Sequence, residues 1–311
     1  MILIVTHSKD LSADLVIRHL NAAKRPFLRL NTDRLGTPEC HFGFYDEPTL
    51  TMDGQTITQS AFGAVWARRF ARPTILMQVE EQYRDFTARE NAVLMDAFLE
   101  TMPCYQMNPH MADRMAGNRL AQAQRAKAVG FTVPDTCATQ DAREVAAFLE
   151  RYPRSVVKAL SFGRLAEDSD GHAGSVAYTS IVGPDTDWSG LATGPVLLQE
   201  RIDCSYEWRV TTVGTAIFAA RLPATAQVDW RRLGNDAVFE AAILPQDAAD
   251  RLLLLCRESG IAFGAHDLME TADGEFVFLE TNPAGQWGWL EVSLGLPIGS
   301  TIAKELMAND A

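Results

Sequence analysis

Residues 264–282 read GAHDLMETADGEFVFLETN and carry the pattern that decides the fold of this 311-residue chain. The D-G dipeptide at 273–274 is a strong signal for a two-residue turn, and the strand-like runs on both sides predict a β-hairpin. Pairing outward from that turn places Asp267 opposite Glu280. Asn282 then shares the face of Glu280, because side chains alternate along a strand. Two opposed carboxylates destabilise a sheet unless something neutralises them.

The opposed acids predict a site for a divalent cation. A few hard oxygen ligands, with room left for phosphate oxygens, are typical of a magnesium–nucleotide site. Met269, Phe276 and Phe278 are expected on the same face, and these apolar neighbours favour a site shielded from water. The alternative is a hairpin at a sheet edge with both acids in water.

The composition is that of a folded globular protein, with 47% hydrophobic and 22% charged residues. The formal net charge of −12 argues against a nucleic-acid binder, which needs a basic surface. No apolar stretch reaches the roughly 18 residues of a membrane span, so no membrane partner is expected. The five cysteines are scattered without metal or disulfide spacing, which indicates reduced thiols and a cytoplasmic location.

The order of strand-like and helical segments predicts a mixed α/β fold. A strand, a helix and a strand within residues 2–30 predict a βαβ unit, with Ser12 as the helix N-cap. One helix is predicted over 113–129 and a short strand over 131–134. We expect three units, which cover residues 1–112, 113–196 and 197–311.

Several further segments suit a nucleotide, although no phosphate-binding loop of the P-loop or dinucleotide type is present. Lys158 ends an apolar strand before a glycine-bearing loop at 161–174, so an ammonium and backbone N–H groups would meet phosphate there. The strand at 195–203 turns into a polar linker whose backbone groups could bind adenine. Glu207 and Arg209 share a strand face, where they could hold ribose and phosphate. Each of these residues alone could equally be a surface residue, so the prediction depends on their order along the chain.

That order resembles the ATP-grasp superfamily. More narrowly, the whole chain is similar to the MvdD-like ligases, which mature ribosomal peptides into graspetides of the microviridin type. The resemblance implies an ATP-grasp fold in which 1–112 is a pre-ATP-grasp βαβ domain, 113–196 the central subdomain and 197–311 the C-terminal subdomain with the magnesium hairpin. It rests on the motifs MILIVT (1–6), RLNTD (29–33), VWARR (65–69), QE (199–200), EWRV (207–210) and ETNPAGQW (280–287).

The chain departs from the family pattern at two positions. Arg119 stands where relatives often have lysine, and an arginine can still hold phosphate through its fork of donors. Ala67 replaces the tyrosine of the family, which puts an aromatic contact there in doubt.

The resemblance also implies a role for each candidate site residue. The expected magnesium ligands are Asp267, Glu280 and Asn282. The expected ATP-binding residues are Arg119, Lys158, Gln199, Glu200, Ile202, Asp203 and Glu207. The expected catalytic residues are Lys158, Arg209 and Arg221. A basic patch that could receive an acidic peptide, or could simply be a solvated strand end, consists of Arg68, Arg69 and Arg72.

The function that the resemblance implies is ATP-dependent ligation. A side-chain carboxylate of a precursor peptide, which has a leader and a core, would become an acyl phosphate. A Ser or Thr hydroxyl or a Lys amine would then displace phosphate and close a macrolactone or macrolactam. The loop at 161–174 would close over this reaction, and the family suggests a homodimer. Two alternatives stay open: a RimK-like ligase that adds amino acids to a protein or small molecule, and a non-catalytic ATP-binding module.

Overall fold

The computed structural model describes residues 1–161, 177–225 and 227–310, whose strands form four sheets. The N-terminal elements are β1 (Ile2–Thr6), α1 (Leu11–Ala22), β2 (Phe27–Asn31), β3 (Cys40–Gly43), β4 (Thr49–Met52), β5 (Gln55–Thr58), β6 (Ala64–Ala67), α2 (Glu81–Glu100) and β7 (Tyr105–Met107). The middle elements are α3 (His110–Ala116), α4 (Arg119–Ala128), β8 (Thr136–Thr139), α5 (Ala142–Arg151), β9 (Ser155–Lys158), β10 (Ser180–Val182) and β11 (Val196–Glu200). The C-terminal elements are β12 (Tyr206–Val213), β13 (Ala216–Pro223), β14 (Glu240–Ala242), α6 (Gln246–Ser259), β15 (Phe263–Glu270), β16 (Phe276–Asn282), α7 (Gly288–Leu294) and α8 (Ile298–Asn309). Of the loop predicted at 161–174, all but residue 161 lies outside the described residues.

The N-terminal sheet is parallel, in the order β2-β1-β6-β7. All five residues of β1 are buried, as expected for a parallel strand covered on both faces. The predicted βαβ unit is therefore confirmed, although Asp10 caps its helix in place of Ser12. The Asp10 carboxylate accepts a hydrogen bond of 3.1 Å from the Ser12 N–H, which leaves Ser12 inside α1.

Besides the small antiparallel sheet β3-β4-β5, two larger antiparallel sheets follow, and these two provide most of the candidate site residues. One sheet has the order β10-β9-β11-β8, and the other has the order β14-β13-β12-β15-β16. The first packs against α5 through a cluster that includes Val145 and Leu198. The second buries Trp208 and Phe278 against α4 and α6. No helix in the described part of the chain has the length and apolar character needed to cross a membrane.

Two of the predicted elements were wrong. The single helix predicted over 113–129 is two helices, because Asn118 interrupts it and caps α4. The Asn118 side chain accepts hydrogen bonds from the N–H groups of Leu120 and Ala121 at 3.2 and 3.0 Å. The strand predicted over 131–134 is reduced to an isolated bridge at Thr132. Pro134 has no N–H to donate to a ladder, so the regular strand begins only at Thr136.

The hairpin contains a β-bulge that the sequence pattern did not reveal. Residues 271–275 connect the strands, and near this turn Leu268 pairs with Phe278, one residue away from the predicted register. Leu279 is the extra residue, and beyond it Asp267 does pair with Glu280 as predicted. The bulge moves Phe278 and its neighbour Phe276 to the opposite face, where both join the buried cluster. The prediction that these phenylalanines share the face of the acids was therefore wrong.

Candidate functional site

A cavity of about 1160 Å³ lies between the two antiparallel sheets and the end of the N-terminal sheet. It exceeds the usual volume of a small-molecule pocket, so a nucleotide and part of a second reactant could both enter. Thirteen predicted site residues line it: Arg68, Arg69, Arg119, Lys158, Gln199, Glu200, Ile202, Asp203, Glu207, Arg209, Asp267, Glu280 and Asn282.

The opposed acids lie in the wall of this cavity, and each has an arginine partner. Arg209 donates from Nη1 to Asp267 at 2.8 Å, and Arg119 donates to Glu280. Burial raises the pKa of Asp267 above its ordinary value, in spite of the nearby Arg209. Burial acts in the same direction on Glu280, but the charges of Arg119 and Lys158 hold its pKa below the ordinary value. The pKa values of the two neighbouring carboxylates are therefore shifted in opposite directions.

The oxygen atoms at the end of the hairpin suit a hard divalent cation. Asp267 and Glu280 offer carboxylates on paired strands, and Asn282 adds an amide oxygen on the same strand as Glu280. The N–H of Ala284 donates to this amide oxygen at 3.1 Å and so orients the side chain. Across the described residues, no group of three or more His, Cys, Asp or Glu side chains is placed to hold a metal. Two carboxylates with an amide, which leave room for phosphate oxygens, fit Mg²⁺.

Lys158 connects the acid pair to the central sheet. Its ammonium donates to the side-chain oxygen of Gln199 at 2.6 Å, across the β9–β11 pair. Burial lowers the pKa of Lys158, against the opposing charge of Glu280. The lysine, its glutamine partner and the acid pair therefore belong to one continuous site.

Glu207 is a further carboxylate of the cavity whose pKa is raised. It precedes Arg209 by two residues on β12, and both therefore face the cavity as predicted. Burial raises its pKa to about 7, and the charges of Asp267 and Asp229 add to the effect. A carboxyl group poised near neutral pH in a cavity is typical of a binding or catalytic site.

The linker after β11 is fixed from outside the cavity by Arg154. Its guanidinium donates to both carboxylate oxygens of Asp203, and its backbone carbonyl accepts the N–H of Arg201 at 2.9 Å. Glu200 and Ile202 lie on the same linker in the cavity wall. The Asp203 side chain is bonded to Arg154, which is exposed, and this ion pair holds the linker in one conformation.

The predicted basic patch is not one surface. Arg68 is buried and forms an ion pair of 2.7 Å with Asp10. Burial lowers the pKa of Arg68 to about 10. Arg72 lies outside the cavity wall and pairs with the exposed Asp85 at 2.8 Å. Arg68 and Arg69 both line the cavity and Arg72 does not, so the three arginines do not form one exposed patch.

Arg221 is also separated from the other predicted catalytic residues. It pairs with Trp208 across β12 and β13, whereas Arg209 pairs with Ala220, so the two arginines belong to opposite faces of the sheet. Its side chain donates to Glu240 at 2.6 Å and stacks over Tyr206. Of the three predicted catalytic residues, Lys158 and Arg209 line the cavity and Arg221 does not.

Three residues of the cavity wall were missed by the sequence analysis. Gln122 on α4 accepts the backbone N–H of Thr281 between Glu280 and Asn282, which fixes the strand that carries both. Asp229 and Arg231 form a second, tightly bonded acid–base pair in the wall. Asp229 precedes a short helical segment, and an aspartate in that position is a recognisable N-cap signal.

The fold has clear counterparts among known proteins. Residues 1–114 match the family model of the MvdD pre-ATP grasp domain. The macrocyclase MdnC of Microcystis aeruginosa MRC, solved with its precursor peptide MdnA, is 27% identical with a TM-score of 0.88, over 98% of both chains. A RiPP-associated ATP-grasp ligase of Chryseobacterium gregarium, solved with ADP and a leader and core peptide, is 24% identical with a TM-score of 0.87, over 99% of this chain and 96% of the other.

A more distant neighbour is a RimK domain ATP-grasp protein of Sphaerobacter thermophilus. It is 16% identical with a TM-score of 0.60, over 99% of this chain and 100% of the other, and so it shares the fold alone. No sequence among the curated proteins matches this chain.

These findings define the class of the protein as an ATP-grasp ligase. Within that class the chain is similar to the MvdD-like ligases, because its residues 1–114 match the MvdD pre-ATP grasp domain and its whole length resembles the macrocyclase MdnC.

Proposed function

We propose that this protein uses ATP to activate side-chain carboxylates of a ribosomal precursor peptide and joins them to Ser or Thr hydroxyls or Lys amines. The observation that carries the proposal is the cavity in which the opposed acids Asp267 and Glu280 adjoin Lys158 and Glu207. The products would be macrolactones or macrolactams. MdnC, a macrocyclase solved with its own precursor peptide, supports a peptide as the second substrate.

We assign the magnesium ion to Asp267, Glu280 and Asn282. When bound, it would neutralise charge that develops on the phosphates during transfer. Lys158 and Arg119 would hold phosphate oxygens from the two sides of Glu280.

The nucleoside would lie against the linker. Glu200 and Ile202 would contact adenine, with Gln199 and Asp203 holding the linker and Lys158 in position. Glu207 would accept ribose hydroxyls, and Arg209 would face the transferred phosphoryl group. The protein thus acts by positioning the reactants and by placing charge.

We further propose that residues 1–112, 113–196 and 197–311 act as three units, with ATP between the second and the third. The precursor peptide would approach from the side of Arg68 and Arg69. Since both ATP and newly made peptides are present in the cytoplasm, the enzyme would act there. No nucleic acid or membrane is part of the proposed reaction.

We also propose that the protein forms a homodimer. The support is the exposed apolar side of α2, where Tyr83, Phe86 and Val93 are 54, 57 and 64% exposed. Phe86 and Val93 are seven residues apart, and Tyr83 lies three residues before Phe86, which is a spacing that suits helix pairing. Light scattering would measure the molar mass of the wild type and of Phe86→Glu. We expect the wild type to have twice the mass of one chain and Phe86→Glu to have the mass of one chain. A monomeric wild type would refute the homodimer.

The test of the catalytic proposal is mass spectrometry of short peptides encoded beside this gene, incubated with enzyme, ATP and magnesium. We expect a loss of one water per bond formed, absent with Glu280→Gln and retained with Glu240→Gln, a control on the same sheet outside this cavity. If all peptide masses are unchanged and ATP is consumed only with free amino acids or other proteins, the RimK-like alternative holds. If ATP binds but is never consumed, the protein is a binding module.

A further inference from the structure

Arg231 lines the cavity and has no part in the site assigned above. Its guanidinium is held by Asp229, which accepts from Nε at 2.7 Å and from Nη2 at 2.5 Å. The same carboxylate accepts the backbone N–H groups of Arg231 and Thr179 at 3.2 and 3.0 Å. Asp229 is only 5% exposed, so this aspartate fixes the guanidinium in one orientation.

The remaining donors of Arg231 form a second binding edge. A guanidinium has five N–H donors, and Asp229 occupies those on one side. In the part of the chain that the structure describes, Nη1 of Arg231 has no protein acceptor, and the side chain is 47% exposed. The guanidinium carbon lies 5.6 Å from the ring centre of Tyr178, which supports its face. This geometry leaves the Nη1–Nη2 edge able to bind a second carboxylate through two hydrogen bonds.

Arg231 lines the same cavity as the acid pair Asp267 and Glu280. The hydrogen bond to Asp229 is the main reason that its pKa is raised, and the charges of Glu280 and Asp267 contribute. By contrast, Arg209 is already bonded to Asp267 and to a backbone carbonyl at 2.9 Å. Arg231 therefore combines a position in the wall of the proposed ATP cavity with an unused pair of donors.

We propose that Arg231 binds the peptide side-chain carboxylate that the enzyme activates, an aspartate or glutamate of the substrate. This inference rests on the proposed function and names the residue that receives its first reactant. Held by Arg231, a carboxylate oxygen forms a bond to the γ-phosphorus while the bond from that phosphorus to the bridging oxygen of ADP breaks. No proton moves in this step. The fixed positive charge offsets the repulsion between the carboxylate and the triphosphate.

The next residue provides a matched control. Arg232 also stacks on Tyr178, with its guanidinium carbon 4.9 Å from the ring centre, and donates to Ser180 at 3.1 Å. It does not line the cavity. Arg231→Gln and Arg232→Gln remove the same charge from the same segment, so a difference between them reports on the cavity. Arg231→Lys keeps the charge and removes the fork.

The experiment uses a neighbouring peptide that the wild-type enzyme dehydrates. We expect Arg231→Gln to lower kcat/KM for that peptide by about 100-fold, Arg231→Lys to lower it less, and Arg232→Gln to leave it unchanged. ADP affinity should be equal for all three variants. Arg231→Gln should lower the melting temperature because it leaves Asp229 buried without its cation, so kcat/KM is compared at a temperature at which all three variants are folded. Replacing the ring-forming glutamate of the peptide by glutamine should weaken its binding to the wild type and have no effect on its binding to Arg231→Gln.

The possible failures are distinguishable. If the wild type dehydrates the peptide and Arg231→Gln does so as well as Arg232→Gln, the role of Arg231 is refuted and the proposed function stands. The role is also refuted if glutamine in the peptide weakens binding equally to both enzymes. If the wild type dehydrates no peptide, both proposals fall together.

Discussion

Glu207 should make the stability of this protein depend on pH in a way that can be measured without any substrate. Burial raises its pKa from 4.5 to about 7, and since one pKa unit corresponds to about 1.4 kcal/mol, the ionised form costs the fold about 3 kcal/mol. Between pH 4.5 and 7 the folded protein retains a proton that the unfolded chain has released. Stability therefore falls as the pH rises through this window, and the full cost is present above pH 7.

Glu207→Gln keeps the shape of the side chain and removes the charge. We expect the variant to be more stable than the wild type by about 3 kcal/mol, or roughly 5 °C in melting temperature, at pH 8 and nearly equal to it at pH 5. Urea denaturation at several pH values, without nucleotide or magnesium, measures the difference. Glu258→Gln, at a position 58% exposed on α6, is the control and should give a difference independent of pH. A Glu207→Gln difference that is equally independent of pH would refute the assignment of a buried, proton-retaining carboxyl group.

Four other substitutions test the site and its support. Arg68→Met should lower the free energy of unfolding by about 3–5 kcal/mol because it leaves Asp10 buried without its cation, and a urea titration that finds less than 1 kcal/mol would contradict the buried ion pair. Gln122→Ala should lower the free energy of unfolding by about 1–3 kcal/mol in the same titration, because the buried N–H of Thr281 loses its acceptor. An unchanged free energy of unfolding would show that this N–H has another acceptor. Gly285→Ala should lower ATP turnover with peptide by about 100-fold, since the added methyl group would collide with the side chain of Ala265 and press on the guanidinium of Arg209, and unchanged turnover would contradict this displacement of Arg209. Arg221→Gln should leave turnover and ADP affinity unchanged, and a large loss of either would mean that Arg221 reaches the cavity during the reaction.

The position of the acid pair could be predicted from the sequence, but not the path of the strand that leads to it. The D-G dipeptide correctly identified the turn, and Asp267 does lie opposite Glu280. The longer connection shifts the register by one residue, and the bulge at Leu279 shifts it back. The longer connection and the bulge therefore cancel each other at Asp267 and Glu280, which pair as predicted. Phe278 lies between the two, so it is on the other face. A bulge depends on packing on both faces of the sheet, and alternation along one strand contains no information about that.

The arginines show a second limit of the sequence pattern. Side-chain alternation within β12 correctly placed Glu207 and Arg209 on one face. The relation of Arg209 to Arg221 depends on the β12–β13 register, and that register puts them on opposite faces. Arg68 likewise appeared to be part of a basic surface, but its partner Asp10 is the N-cap of α1, which follows the neighbouring strand β1. Whether a charged side chain is exposed depends on contacts between distant parts of the chain, and the residues next to it in the sequence do not reveal those contacts.

The break between α3 and α4 shows how a local helix cap positions a residue of the candidate site. Periodicity alone favours one helix across residues 113–129, but Asn118 satisfies two N–H groups of a new helix and so makes Arg119 its first residue. From that position the Arg119 guanidinium reaches Glu280 on β16. It has further donors than this contact uses, and a lysine in the same place would offer a single ammonium. The arginine that stands where relatives often have lysine therefore keeps a cation beside Glu280 and adds a planar fork that can bind a phosphate oxygen at the same time.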